Sequence, residues 1–201
     1  MIYYNKQSGF SLVETLVAVS LLLIIIVGPM SISAKTAKSS SFASEQVQAF
    51  FLAQEGLELA QKARDDLRLQ QQKGDITDAW DDFTKNSGTY QKCLTSFGCG
   101  LYWNSDGDAL ASPKDCTTSA NCLMYRNNLS NPRALFTHDG SSGGSPNTQT
   151  VFTRKITFSD AVPGREIKVT STVTWRTGSL VAGQSVSVHT YLFNTDYDPS
   201  N

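Results

Sequence analysis

The sequence lacks an excess of charge of either sign: it has 17 Lys and Arg residues, 18 Asp and Glu residues and a formal net charge of −1. Without a basic field, we predict no binding to nucleic acid. Histidine is scarce too, and neither His138 nor His189 accompanies a serine or cysteine nucleophile or stands at metal-ligand spacing. We therefore predict that the protein is not an enzyme and has no catalytic residue, cofactor or metal.

One long stretch of the chain lacks charge altogether. From Thr15 to Ala34 the sequence is almost uninterruptedly apolar, and Lys35 and Lys38 follow it. A helix of about 20 apolar residues is long enough to cross the roughly 30 Å hydrocarbon core of a bilayer. The sequence therefore predicts one membrane-spanning helix, with the two lysines marking its exit from the bilayer.

A carboxylate, Glu14, stands at the start of this apolar stretch. Within a bilayer it would cost on the order of 2.5 to 3.5 kcal/mol, which favours a functional role with a cationic partner. The segment Ser11-Leu12-Val13-Glu14 also fits the capping box S-x-x-E, in which the glutamate satisfies free N–H groups at a helix start. The two interpretations are compatible.

The residues before the helix carry a resemblance to a known family. Gly9-Phe10-Ser11-Leu12-Val13-Glu14, which follows a short polar leader containing Lys6, resembles the class III signal of type IV pilins and pseudopilins. The resemblance implies that a prepilin peptidase cleaves between Gly9 and Phe10 and that the new amino terminus of Phe10 is methylated. It also implies that Glu14 is the assembly glutamate, whose partner is the amino group of a neighbouring subunit's Phe10.

The same resemblance implies a fold, partners and a location. The fold class is α+β, the type IV pilin fold, in which a long N-terminal helix packs on a C-terminal antiparallel β-sheet. The implied partners are other pilin subunits, the prepilin peptidase and the pilus assembly machinery. Before assembly the chain would cross the inner membrane once, and after assembly it would lie in an extracellular pilus.

An ordinary secretory signal is the alternative interpretation of the N-terminus. Lys6, the apolar stretch and the small residues Ser31, Ser33 and Ala34 fit that pattern. Against it, the apolar stretch exceeds the usual length of about 7 to 15 residues, and an acidic residue near its start has no role in such a signal. Under this alternative the protein would be a secreted or membrane-anchored binding domain.

The helix is predicted to continue beyond the membrane as an amphipathic segment. Gly28-Pro29 predicts a kink within the apolar part, with a plain helix end as the alternative. Gly74, after Lys73, predicts the end of the whole helix. Apolar residues at steps of three and four predict one buried face: Phe50, Ala53, Leu57, Ala60, Ala63 and Leu67.

Part of this segment carries a second resemblance. The stretch A-x-E-G-L-E at residues 53–58, with Ala63-Arg64-Asp65 after it, resembles PilV-type minor pilins. An amphipathic helix that a strand crosses closely at Gly56 would explain it equally well.

A loop-rich region containing four cysteines follows. The spacing C-x5-C occurs at Cys93 and Cys99 and again at Cys116 and Cys122. The region would lie outside the cytoplasm, which favours disulfides, with two local bridges as the simplest pairing and a Cys99–Cys116 bridge as its rival. Zinc fits poorly, because structural zinc sites have shorter cysteine spacing. Aromatic and leucine side chains are predicted to supply apolar anchors in this region: Trp80, Phe83, Tyr90, Leu94, Phe97, Tyr102 and Trp103.

A short acidic segment, Asn104 to Asp108, invites a calcium hypothesis through Asp106 and Asp108. It lacks the bidentate acid that ends an EF-hand loop, so we interpret Asp-Gly as a turn.

The C-terminal part alternates with period two, which predicts an antiparallel meander of three strands. Its strands contain Phe152 to Phe158, Ile167 to Trp175 and Val186 to Leu192, joined at Val162-Pro163-Gly164 and around Gly178 to Gly183. The whole chain is thus predicted to contain five segments: a leader at 1–9, a transmembrane and assembly helix at 10–34, an amphipathic helix at 35–73, a disulfide region at 74–148 and a meander at 149–201. The predicted function is a minor pilin of a type IV pilus, with a pseudopilin of a type II secretion or DNA-uptake system as the alternative.

Overall fold

A computed structural model describes residues 9, 11–128, 135–176 and 183–197. The chain divides into two compact units, Met1–Ser44 and Glu45–Asn201. Helix α1, Leu12–Lys73, contributes to both units. The remaining helices and all the strands belong to the second unit.

The first part of α1 is apolar and exposed. Hydroxyl groups along it donate to carbonyl oxygens of the same helix: Thr15 Oγ1 to Leu12 O at 2.9 Å, and Ser31 Oγ to Gly28 O at 2.8 Å. Pro29 lies inside α1, so the helix does not end at Gly28-Pro29. A kink at this point stays a prediction.

The C-terminus of α1 is closed by a Schellman motif. Gly74 has a φ of 83°, a left-handed conformation that glycine adopts without steric cost. The N–H of Gly74 donates to Gln71 O at 3.0 Å, and the N–H of Asp75 donates to Gln70 O at 2.9 Å. These two bonds satisfy carbonyl groups that a helix end leaves free. The predicted stop at Gly74 is therefore correct.

The region after α1 is built from short elements. Helix α2 is Ala79–Thr84, and two 3₁₀ turns are Gln91–Leu94 and Ser119–Cys122. The short strands are β1 Cys99–Gly100, β2 Lys114–Asp115, β3 Leu123–Arg126, β4 Phe136–Thr137, β5 Ser141–Ser142 and β6 Ser145–Pro146. Two disulfides link Cys93 to Cys99 and Cys116 to Cys122, with Cα–Cα distances of 4.6 and 5.4 Å. This is the local pairing that the repeated spacing favoured.

Three long strands complete the fold: β7 Thr148–Val162, β8 Glu166–Trp175 and β9 Gln184–Phe193. β8 pairs antiparallel with both β7 and β9, as the alternation predicted. The first connection turns at Gly164, whose φ is 71°. The second predicted connection falls mainly on residues 177–182, outside the described residues. On its other side β7 pairs with β1 and β3, which extend the sheet to β2 and β4.

The core of the second unit lies between α1 and one face of the sheet. Its members come from the helix, from the loop-rich region and from the three long strands: Leu59, Ala60, Ala63, Leu67, Trp80, Phe83, Tyr90, Leu101, Ile156, Phe158, Ile167, Val169 and Leu192. The ring of Phe83 lies 4.8 Å from that of Phe158 and 5.5 Å from that of Tyr90, centroid to centroid. The loop-rich region thus shares the core of the sheet. The fold is α+β and pilin-like, as predicted.

Two predicted core residues are exposed instead. Phe50 was placed on the buried face of α1, but Ala49 and Leu52 lie on that face and Phe50 is 43% exposed. The buried face of α1 is narrow and consists mostly of small residues, and the ring of Phe50 lies outside it. Phe97, expected as an apolar anchor, follows the 3₁₀ turn that contains buried Cys93 and is 54% exposed.

Candidate assembly helix and its anchor on the sheet

The residues implicated in processing lie at the start of α1. Gly9 is exposed, and a Cβ at this position would meet nothing within 4 Å. Because α1 begins at Leu12, Ser11 occupies the N-cap position and Glu14 the third helical position, which is the spacing of a capping box. The backbone N–H of Thr15 donates to Ser11 O at 3.2 Å. Phe10, the predicted mature first residue, lies outside the described residues.

Beyond Glu14 the helix presents apolar side chains on all its sides. Leu16 is 63% exposed and Ile24 is 72% exposed. This part of α1 is long and apolar enough to cross a membrane. A contiguous apolar surface of this extent marks a membrane-contacting or protein-contacting segment. Glu14 therefore stands at the end of a surface that has only apolar and hydroxyl-bearing side chains as far as Ala34.

A comparison with known protein families also identifies a motif in this N-terminal segment. Residues 4–28 match the prokaryotic N-terminal methylation motif. The match includes Gly9, Phe10 and Glu14 and supports a type IV pilin-like protein that a prepilin peptidase processes. Searches of curated proteins and of solved structures gave no significant match.

The methylation motif also bears on the role and the partners of the chain. It points to a structural subunit rather than an enzyme, and it implies assembly with other pilins. Together with the exposed apolar helix, it is consistent with a chain that is held in the inner membrane before it enters a pilus.

The second half of α1 is tied to the sheet by a buried arginine. Arg154, on β7, is fully buried, and its Nη1–H donates to Glu55 Oε2 at 2.6 Å and to Leu52 O at 3.1 Å. Its Nη2–H donates to Leu101 O at 2.8 Å. One guanidinium therefore joins the helix, the central strand and the loop-rich region. Arg154 shares the inward row of β7 with buried Phe152 and Ile156, and the sequence gives no indication of this ion pair.

Next to this ion pair, the helix approaches the sheet closely at Gly56. A Cβ there would clash with Ser171 Oγ and would lie 3.2 Å from Ser171 Cβ and 3.3 Å from Arg154 Cδ. Ser171 lies on β8 and is fully buried. Glu55 and Gly56 of the A-x-E-G-L-E stretch thus have structural roles, the first as the partner of Arg154 and the second as the point of close helix–strand contact.

A buried histidine lies under the loop-rich region. His138 Nδ1 is 3.2 Å from Leu123 O, and the ring stands edge-on to Tyr102 with centroids 5.5 Å apart. Burial, with smaller effects from the charges of Arg154 and Lys114, lowers the pKa of His138 to about 3. Burial and the adjacent Asp139 raise the pKa of Tyr102. His138 is therefore neutral at physiological pH and belongs to the core.

The described residues offer no candidate metal centre. In the described ranges no three His, Cys, Asp or Glu side chains are grouped so that they could hold a metal ion. In the acidic turn considered for calcium, Asn104 Nδ2 donates to Asp108 Oδ1 at 2.6 Å, and Asp108 N donates to Asn104 Oδ1 at 3.2 Å. The turn is thus held by hydrogen bonds between its own residues.

Proposed function

We propose that this chain is a minor pilin, a subunit that is stored in the inner membrane and built into a type IV pilus. The observation that carries the proposal is the match of residues 4–28 to the methylation motif, in register with the start of the exposed apolar helix at Leu12. Cleavage between Gly9 and Phe10 would create the mature amino terminus, which is then methylated.

In the proposed assembly step, the apolar surface of α1 exchanges its contacts with lipid for contacts with other helices. In the membrane the apolar surface of α1 contacts acyl chains, and in the filament it packs against the same surface of neighbouring subunits. A carboxylate left unpaired in that apolar bundle would cost several kcal/mol. Glu14 is therefore best placed where it meets the positive amino group of a neighbouring subunit's Phe10, and this pairing selects the axial register.

The disulfide-rich region favours a displayed pilin over a pseudopilin. Residues 74–148 include both disulfides and contribute Phe83, Tyr90 and Leu101 to the core of the sheet. Such an insertion adds surface that a short periplasmic pseudopilus does not need. The A-x-E-G-L-E stretch at residues 53–58 also supports a relation to PilV-type minor pilins.

Two measurements on cells that make the protein test this function. N-terminal sequencing of the mature chain should give N-methylphenylalanine at Phe10, whereas a start near Ala34 would indicate an ordinary secretory signal. Immunogold labelling with an antibody to residues 93–122 should decorate filaments. Labelling restricted to the cell envelope, with a methylated Phe10, would instead identify a pseudopilin.

A further inference from the structure

The solvent face of the sheet, opposite α1, contains a groove. It consists of two adjoining cavities of about 550 Å³ and 220 Å³, both lined by Ser119, Thr153 and Thr174. Thr153 and Thr174 are direct partners across β7 and β8. One wall is the turn that the Cys116–Cys122 disulfide closes. The groove therefore has a sheet as its floor and a covalently fixed wall, which makes it largely preformed.

The polar groups of this groove are hydroxyl and amide groups. Threonine and serine hydroxyls and the glutamine amide both donate and accept hydrogen bonds, as sugar hydroxyls do. Those on the outer row of the two strands and on the wall are Ser119, Gln149, Thr153, Thr172 and Thr174. The hydroxyl of Thr150, which also lines the groove, already donates to Met124 O. Two exposed apolar side chains, Val151 and Phe97, also line the groove and offer contact to the C–H faces of a sugar ring.

The charges of the groove are of one sign. Arg176 lines the larger cavity and Lys155 lines the smaller one, while neither cavity has an acidic residue among its described lining. Within the described residues, neither cation has an ion-pair or hydrogen-bond partner, whereas Arg154, Lys114 and Arg68 are all paired with carboxylates. With no partner in the described part of the chain, Lys155 and Arg176 can both bind an anionic ligand.

The strand register gives the separation of the two cations. Lys155 pairs with Thr172, and Arg176 follows the last residue of β8, four residues beyond that pair. At about 3.3 Å per residue, the two Cα positions are roughly 13 Å apart along the strands. A single small anion would not bridge this distance, whereas an oligomer with anionic groups on separate units would.

We propose that this groove binds an acidic oligosaccharide, with Lys155 and Arg176 contacting its carboxylates and the threonine row contacting its hydroxyls. The inference does not depend on filament assembly. Single-stranded nucleic acid fits less well, because two cations neutralise few phosphates and only Phe97 is an exposed aromatic ring for base stacking among the described lining residues.

The test uses the full chain in non-ionic detergent micelles and titrates it calorimetrically with a galacturonic acid hexamer. We expect saturable binding that weakens as salt rises. Lys155→Gln and Arg176→Gln should each weaken it about tenfold, because each removes one charge-assisted hydrogen bond. Thr174→Val, which keeps the branched side chain without the hydroxyl, should also weaken it.

Lys168→Gln is the matched control. Lys168 lies on the same strand face as Thr172 and Thr174 and has no partner among the described residues, but it does not line the groove. Its replacement should leave binding unchanged, and all four variants should unfold at the wild-type temperature. The proposal would be overturned by a lack of hexamer binding, by equal binding of neutral maltohexaose, by tighter binding of single-stranded oligothymidylate, or by an equal loss in Lys168→Gln.

Discussion

Glu55 on α1 and Arg154 on β7 are 99 residues apart in the sequence, yet their side chains form an ion pair with an Nη1–Oε2 distance of 2.6 Å. Arg154 is fully buried, whereas the side chain of Glu55 is 29% exposed. The pair therefore anchors the second half of the helix to the sheet at the edge of the core.

Glu55→Gln should destabilise the protein, because it removes the negative charge beside a buried guanidinium and keeps the side-chain shape. Breaking a buried pair costs about 3 to 5 kcal/mol, and the partial exposure of Glu55 reduces the expected loss to about 2 kcal/mol. The measurement is urea unfolding of the full chain in detergent. Glu58→Gln, an exposed carboxylate on the same helix, is the control and should change stability by less than about 0.5 kcal/mol. Equal effects of the two substitutions would contradict this role.

Gly56→Ala tests the close contact between α1 and β8. The added methyl group meets Ser171, and overpacking of this kind costs about 1 to 3 kcal/mol, against a gain in helix propensity of about 1 kcal/mol. We expect a lower unfolding midpoint and partial recovery when Ser171→Ala is added. Ser171→Ala alone should be nearly neutral, because its buried Oγ has no hydrogen-bond partner among the described residues. A fully stable Gly56→Ala variant would show that the helix can move away from the sheet.

Acid should destabilise the fold through His138. In the unfolded chain its pKa is about 6.5, whereas in the folded protein burial lowers the pKa to about 3. As the pH falls below 6.5, His138 therefore becomes protonated in the unfolded state but stays neutral in the folded state. The free energy of unfolding decreases by up to about 1.4 kcal/mol per pH unit until pH 3. His138→Gln should flatten this slope between pH 6.5 and 5, as measured by urea unfolding. An equal slope in the wild type and in His138→Gln would contradict the lowered pKa of His138.

Much of the architecture could be predicted because it rests on local patterns. Period-two alternation predicted β7, β8 and β9, and Gly74 predicted the end of α1. The charge-free stretch and the residues around Gly9 and Glu14 predicted the candidate site, and the methylation motif covers them.

What could not be predicted depends on contacts between distant residues. The two-residue strand β1 pairs with β7 through Cys99 and Ile156, and such short elements have no periodicity of their own. The buried charge of Arg154 is acceptable only because Glu55 and two carbonyl groups meet it in the folded chain. The prediction for Phe50 was wrong because hydrophobicity alone does not distinguish it from the neighbouring Ala49, which is the residue that the fold buries.

Gly9→Ser should block cleavage of the leader, because the proposed peptidase site requires glycine before the cut. Gly9 has open space around it, so the substitution should not disturb the fold. On a gel the variant should run as the unprocessed chain, about nine residues longer than the mature protein. A mature band of unchanged size would refute the proposed cut site.

The most direct test of the account concerns Glu14→Ala. Expressed in the native host, the variant should be cleaved to the same mature size as the wild type, yet it should be largely missing from sheared filaments, because no carboxylate then pairs with a neighbouring subunit's Phe10. Thr15→Val, which removes only a hydroxyl bonded to Leu12 O within the helix, should still be incorporated. The decisive measurement is the ratio of filament-bound to total mature protein. We predict a large fall for Glu14→Ala alone, and a ratio equal to that of the wild type would contradict the proposed assembly mechanism.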